Sequence, residues 1–283
     1  MKTVHRARCR SGLLLVLPSL IGLAVLYVAP FFAGLYYTFT QGVAEPRFAG
    51  LDNFRELLGN SVFRQAAGNT AAFLAAGVPL SLGTALLFGI AAAKRRFSWQ
   101  RWALLLPLAV PSASLALGWQ RLWGAGGLAA RLAGAPESGL LYGPAAFWLL
   151  LALYLLKNVG YLSVILTGSI LALPAVYAES YRLDSSSEWG YVRHVLLPLI
   201  SPNLLFAAVV AVMNYFLLFR DVYALYGDDP PGSVYMLQHF MNSNFYRLNY
   251  QRLSAAAFLT VLAMAALIAA VLWLQRRLSR DVG

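Results

Sequence analysis

The stretch AAFWLLLALYLLKNVGYLSVIL, Ala145 to Leu166, carries one formal charge, Lys157, in 22 residues. Wound as an α-helix it is about 33 Å long, enough to cross the roughly 30 Å hydrocarbon layer of a bilayer. A helix packed on a soluble core shows an apolar stripe and a polar face. This stretch has almost no polar face, so it reads as a membrane span.

Five more stretches read the same way, at about residues 13–39, 66–93, 102–123, 197–219 and 253–274. Pro79, Pro107 and Pro111 fall inside them, and a bundle tolerates such prolines where neighbouring helices satisfy the freed backbone groups. The composition agrees: 60% of the residues are hydrophobic and 12% charged, against about 25% charged in soluble domains. The expected architecture is an all-α membrane protein of six transmembrane helices, one domain over residues 13–283 behind a basic tail at residues 1–12. A signal peptide also opens with a basic tail, but its apolar core is about 7 to 15 residues. The first stretch is longer and is expected to be a retained span.

Lys and Arg set the orientation. With the N-terminus inside, the cytoplasmic segments hold thirteen of them, among them Arg6, Arg8, Lys94, Arg95, Arg96, Arg101, Arg182, Arg193, Arg276 and Arg277, and the outer segments hold eight. Both termini are therefore expected in the cytoplasm. The net charge of +11 lies at the ends of apolar stretches, where anionic headgroups attract it. No basic face with interleaved aromatics remains to bind nucleic acid.

Several chemistries are excluded. Cys9 is the sole cysteine and His5, His194 and His239 are far apart, so no intrachain disulfide and no zinc-site spacing exist. No span holds Asp or Glu in its middle, which a proton- or sodium-coupled carrier usually requires. None of the three lysines, Lys2, Lys94 and Lys157, ends a phosphate-binding glycine-rich loop. The spans also offer no nucleophile–base set for an intramembrane enzyme. If the chain pumps, another chain supplies the energy.

The segment LPAVYAESYRLDSSSEWGYVRHVLLP, Leu173 to Pro198, joins the fourth and fifth spans on the cytoplasmic side. Pro174 can open a short helix ending near Asp184, and Asp184 or Ser185 can cap a second. Val176, Tyr177, Ser180 and Tyr181 form a partly apolar stripe on the first, suited to a groove on a soluble partner. From periodicity alone an ordinary interfacial helix is the simpler account.

This loop resembles the cytoplasmic signature loop of permease subunits in binding-protein-dependent ABC importers. There a Glu-Ala-Ala element precedes an Asp-Gly pair and a Leu-Pro that opens the next span. Glu179, Asp184 and Leu197-Pro198 match; Ser180, Tyr181 and Ser185 depart, and Ser185 would be strained if the turn needed positive φ. Gly50-Leu-Asp-Asn-Phe54, Asn69-Thr70, Leu106-Pro107, Phe219-Arg-Asp221, Gly227-Asp-Asp-Pro-Pro231 and Ala255-Ala-Ala257 resemble the sugar-importing branch, of which the maltose importer permeases are familiar examples.

The resemblance implies a type I ABC importer permease fold in the bacterial cytoplasmic (inner) membrane. It implies that the loop, about residues 173–196, is the coupling element, with Tyr177, Glu179, Tyr181, Asp184, Ser185 and Trp189 at the ATPase contact. It implies four kinds of partner or ligand outside the chain: a second, non-identical permease subunit, two ATPase subunits, an extracytoplasmic solute-binding protein, and the ATP and Mg that the ATPase subunits hold. The chain itself is expected to be no enzyme and to carry no cofactor.

Tyr154, Lys157, Asn158 and Tyr161, at i, i+3, i+4 and i+7, share one face of the fourth span. They either line the solute path, with Asn214 and Tyr215 of the fifth span as counterparts, or pack the bundle while Lys157 snorkels or pairs. Aromatic faces and amides suit sugar rings and hydroxyls. Arg220 and Asp221 read as a local pair or a binding-protein contact. The alternatives are a permease for another polar solute such as a glycerol phosphoester, a secondary transporter, or a membrane scaffold. The outer segments Gln41 to Gln65, Gly124 to Gly143 and Tyr223 to Arg252 can form small lids that receive a separate binding protein.

Overall fold

The computed structural model describes residues 16–42, 45–94, 106–107, 109–132, 134 and 139–280. The basic tail, the start of the first expected span, residues 102–105 and 108 of the third, and Arg95, Arg96 and Arg101 lie outside the described residues. Among the described residues five helices are long and apolar enough to cross a membrane: Val16–Thr38, Ser61–Lys94, Ala146–Leu171, Glu188–Tyr226 and Tyr250–Trp273.

The chain divides into two compact units, one made of the residues up to Ser61 with Met241–Leu262, the other of Val62–Phe240 with the residues from Ala263 onward. In the first, α1 (Val16–Thr38) leaves Leu26 70% and Tyr27 71% exposed. Such a surface is stable against lipid tails, not water. A π-helical turn, Ala24–Val28, lies just ahead of Pro30. The proline ring would meet the carbonyl four residues back, and one wider turn removes that clash.

After α1 the two-residue strands β1 (Thr40–Gln41) and β2 (Arg47–Phe48) pair antiparallel. The helix α2 (Asp52–Gly59) follows, and its buried Asn53 donates Nδ2 to the carbonyls of Thr38 and Thr40 at 2.9 and 3.0 Å. Phe39, Phe54 and Phe258 form one ring cluster here, beside an ion pair between Glu56 and Arg252.

The second unit is built on α3 (Ser61–Lys94), α6 (Ala146–Leu171) and α9 (Leu197–Leu217). Between α3 and α6 lie the shorter α4 (Ser112–Trp123) and α5 (Leu128–Leu132). Between α6 and α9 come α7 (Val176–Asp184), α8 (Glu188–Tyr191) and a π-helical turn, Val192–Leu196. That turn again precedes a proline, Pro198, by two residues. Beyond α9 follow α10 (Phe219–Tyr226), α11 (Leu237–Tyr246) and α12 (Tyr250–Arg280).

The third expected span is described only in part. Its helix α4 covers 12 residues, about 18 Å, and Pro111 ahead of it is extended at φ −57° and ψ 141°. Proline biases the residue before it away from helix and has no N–H to donate, so here it breaks the helix. Pro79 and Pro202, by contrast, are carried inside α3 and α9.

The core joins Phe73, Leu150, Leu153, Tyr154, Tyr215 and Val222. On the side of α10, Gln120 donates to the Leu225 carbonyl at 2.8 Å and Tyr226 to that of Leu141 at 3.1 Å. Asn69 donates to the carbonyls of Gly232 and Tyr235 at 2.7 and 2.8 Å, and the Leu237 amide donates to Thr70. Asn69 and Thr70 thus anchor the segment that leads into α11.

His239 of α11 is 2% exposed and sits against Phe219 and Tyr235. Burial pushes its imidazole down to about 4, partly opposed by the Asp228 charge. The folded chain therefore binds fewer protons than the unfolded one between its ordinary value of 6.5 and about 4, and stability is lost as pH falls through that window. The melting temperature in detergent is expected to drop between about pH 7 and about pH 5, and His239→Gln is expected to remove most of that drop.

Candidate functional site

α6 ends at Leu171, and Pro174 accepts the Tyr177 amide at 3.3 Å as the next helix begins. α7 matches the expected bounds of the first loop helix. It stops where Ser185 turns extended, φ −154° and ψ 140°. The matching glycine of the signature is therefore not needed for a positive φ, and serine fits without strain.

The second helix is capped by neither Asp184 nor Ser185. Ser187 Oγ accepts from the Gly190 amide at 3.0 Å, while Ser185 Oγ accepts from the Ser187 amide at 3.2 Å. Ser187 thus satisfies one of the N–H groups that a helix start leaves open. The Tyr181 ring lies 5.8 Å from that of Tyr191, and its hydroxyl lies over Gly190, where a Cβ would collide with it.

The stripe on α7 is divided. Val176, Tyr177, Glu179, Ser180 and Asp184 are exposed, whereas Tyr181 turns inward. Leu183 at 88% and Trp189 at 68% extend the exposed apolar surface. Ala178, Tyr181 and Ser185 instead line a cleft of about 500 Å³ with Ile90, Leu173 and Leu196. At its rim Glu188 accepts from Lys94 Nζ at 2.6 Å, with Arg182 at 4.0 Å. This pair joins the end of α3 to the loop.

The four-residue face of α6 has no common surroundings. Tyr154 is 1% exposed, packs on Phe73 and donates to the Ala211 carbonyl at 2.7 Å. Tyr215 is equally buried, with its hydroxyl against Met236 Sδ. Both are packed inside the bundle. Tyr161 is exposed.

Lys157, Asn158 and Asn214 do meet, around a cleft of about 270 Å³ that also reaches Pro111, Arg220 and Asp221. Asn158 Nδ2 donates to the Tyr154 carbonyl at 2.9 Å. Arg220 and Asp221 are not a local pair. Arg220 is exposed, and Asp221 is bonded through both oxygens to Lys157 Nζ, at 2.9 and 2.8 Å.

A family model described as "Binding-protein-dependent transport system inner membrane component" matches residues 85–283, from within α3 through the loop to α12. The chain belongs to that family. Among its relatives is the probable starch degradation products transport system permease protein AmyD of Thermoanaerobacterium thermosulfurigenes. It is 26% identical over 79% of this chain and 79% of its own.

Another is the trehalose/maltose transport system permease protein MalF of Thermococcus litoralis, 24% identical over 88% of each chain. A chain in the crystal structure of a bacterial ABC transporter for import of the acidic polysaccharide alginate superposes with a TM-score of 0.81 over 98% of both chains, at 17% identity. The permease fold therefore extends over nearly the whole sequence.

Leu183 and Glu188 escaped the sequence reading, and so did the partner of Asp221. Leu183 lies outside the stripe as drawn from Val176. Glu188 finds its cation 94 residues away, and Asp221 finds Lys157 64 residues away. For Asp221 a signal existed: a carboxylate at the end of an apolar helix needs a partner, and a lysine inside another span is the natural one.

Proposed function

We propose that this permease-family chain is one of two transmembrane subunits of an ATP-driven importer, and that it forms half of the path for a sugar or oligosaccharide. Six spans, both termini in the cytoplasm and a bacterial cytoplasmic membrane complete the reading. The third of these spans includes α4. The partners are a second, similar permease chain, two ATPase subunits holding ATP and Mg, and an extracytoplasmic binding protein that delivers the solute.

One observation carries the coupling part: α7 and Trp189 present an exposed, partly apolar surface on a loop continuous with two spans. A short helix of this kind suits a groove on a soluble partner, so energy enters as a contact. Tyr177, Glu179, Leu183 and Trp189 form that contact; Tyr181 and Ser185 hold its shape from inside.

Sugar as cargo is supported by the starch-product and trehalose/maltose permease relatives and by the amides of Asn158 and Asn214 at one cleft. An anionic cargo, such as a glycerol phosphoester, would instead use the exposed Arg220 of that cleft, since Lys157 is paired with Asp221.

The test is purification from membranes in mild detergent, identification of the bound chains, and reconstitution in vesicles. ATPase subunits are expected to co-purify, and sugar-loaded binding protein is expected to stimulate ATP hydrolysis and uptake together. Uptake driven by an ion gradient with no ATPase bound would overturn the reading.

A further inference from the structure

α6 and α9 flank the coupling loop, and each continues into it. Any force on α7 is thus applied to the ends of both helices. What happens further along depends on whether the two helices move together or slide.

Most of their contact is apolar. Leu162 and Leu166 meet Ala207 and Ala211, and nearer the loop Ile170 and Leu173 meet Leu196 and Ile200. Apolar burial is non-directional, and small alanines leave a smooth surface. Such a contact holds two helices side by side without fixing their relative height or rotation.

Directional ties come further from the loop. Tyr154 donates to the Ala211 carbonyl at 2.7 Å. Lys157 Nζ bonds both oxygens of Asp221, with side-chain exposures of 14% and 2%. Asp221 sits in the first turn of α10, which follows α9 after the single residue Leu218. An ion pair at membrane depth is costly to bury, and an apolar pair of similar size is often as stable or more so. Stability alone does not explain two charges here, whereas a fixed geometry does.

We infer that Lys157 and Asp221 are a positioning pair that locks α6 to the junction of α9 and α10. The two spans flanking the coupling loop then move as one rigid lever during transport. The inference rests on the loop being the ATPase contact. The pair holds position and does not bind solute. The cleft beside it gives the Lys157 head access to polar neighbours.

The test uses the full complex with Cys9→Ser, and with Leu156→Cys and Ala224→Cys carrying spin labels; Leu156 and Ala224 are exposed. In the locked protein the label distance is expected to stay the same, within the width of its distribution, between nucleotide-free and ATP-trapped states. In the apolar variant Lys157→Met with Asp221→Leu, which avoids an unpaired charge, the distance is expected to broaden or shift. Solute moved per ATP hydrolysed is expected to fall about 5-fold or more, the lower end of common coupling energies. The swapped pair, Lys157→Asp with Asp221→Lys, is expected to restore both.

A purely structural pair would lower the amount of complex and leave solute per ATP unchanged, which would overturn the inference. So would a shift of a helical turn, about 5.4 Å, between states in the unaltered lever. If the complex without these substitutions hydrolyses no ATP, the functional reading fails instead. The label distances still report whether the pair locks the helices.

Discussion

Replacing Glu179 by Lys is expected to abolish ATP-coupled uptake while leaving the amount of inserted, folded protein unchanged. Glu179 is exposed on α7, and among the described residues no cation pairs with it. Exposed substitutions of this kind change stability by about 0.5 kcal/mol at most, so the fold loses nothing of consequence. At an interface the same reversal turns an attraction into a repulsion, and losing a buried charge pair costs about 2–5 kcal/mol. With tenfold per about 1.4 kcal/mol, uptake falls at least about 30-fold. The measurement is uptake and stimulated ATP hydrolysis per reconstituted complex, with an ATPase Arg→Glu variant as the rescue. Normal uptake by Glu179→Lys would remove α7 from the coupling path.

Where the bilayer dictates the sequence, the fold was readable in advance. α3, α6, α9 and α12 follow from apolar runs near the length of a membrane crossing, and their ends differ from the expected ones by a few residues because a helix continues past the lipid boundary into polar sequence. The third stretch hides its break at Pro111. Its composition suits a membrane, but Pro111 decides between kink and break by backbone geometry, which hydrophobicity does not encode. Pro79 and Pro202 remain inside continuous helices, so proline alone does not mark the break.

The loop divides similarly. Pro174 and Asp184 bracket α7 by their own chemistry, and the helix forms there. The cap of α8 was ambiguous because Ser185, Ser186 and Ser187 are the same residue in a row. The geometry selects Ser187, whose hydroxyl is three residues ahead of the Gly190 amide.

The i, i+3, i+4, i+7 pattern of α6 correctly puts four residues on one side, but one side of a long helix meets different neighbours along its length. Phe73 and Tyr215 cover Tyr154, Asp221 covers Lys157, and Tyr161 is left exposed. Pairing Arg220 with Asp221 was an error of local geometry: adjacent residues on a helix point about 100° apart, and neighbours lie three or four apart.

The packing of α3 leads to the second large effect, the loss of the folded bundle in Gly77→Leu. The buried positions of this helix are Phe63, Ala66, Thr70, Phe73, Gly77, Ser81, Ala85 and Gly89, recurring every three or four residues and turning small where α3 meets α6. Close approach through small residues is how helices associate where lipid removes the hydrophobic drive between them. At Gly77 a bare Cβ would lie 3.3 Å from Leu151 Cδ1 and from Tyr154 Cε1.

A leucine has three more carbons with nowhere to go. It must displace the Tyr154 ring, which breaks the bond to the Ala211 carbonyl and opens the core at Phe73. Overpacking costs about 1–3 kcal/mol and the stranded hydroxyl about 1–3 more, a large share of the roughly 5–15 kcal/mol that holds a domain together. The control is Gly83→Leu, six residues along the same helix, where nothing lies within 4 Å. There the new side chain meets lipid, and the helix gains from losing a glycine. Thermal unfolding in detergent is expected to show a collapse for Gly77→Leu and an unchanged or raised melting temperature for Gly83→Leu. Equal melting of the two variants would mean that α3 does not pack on α6 through this face.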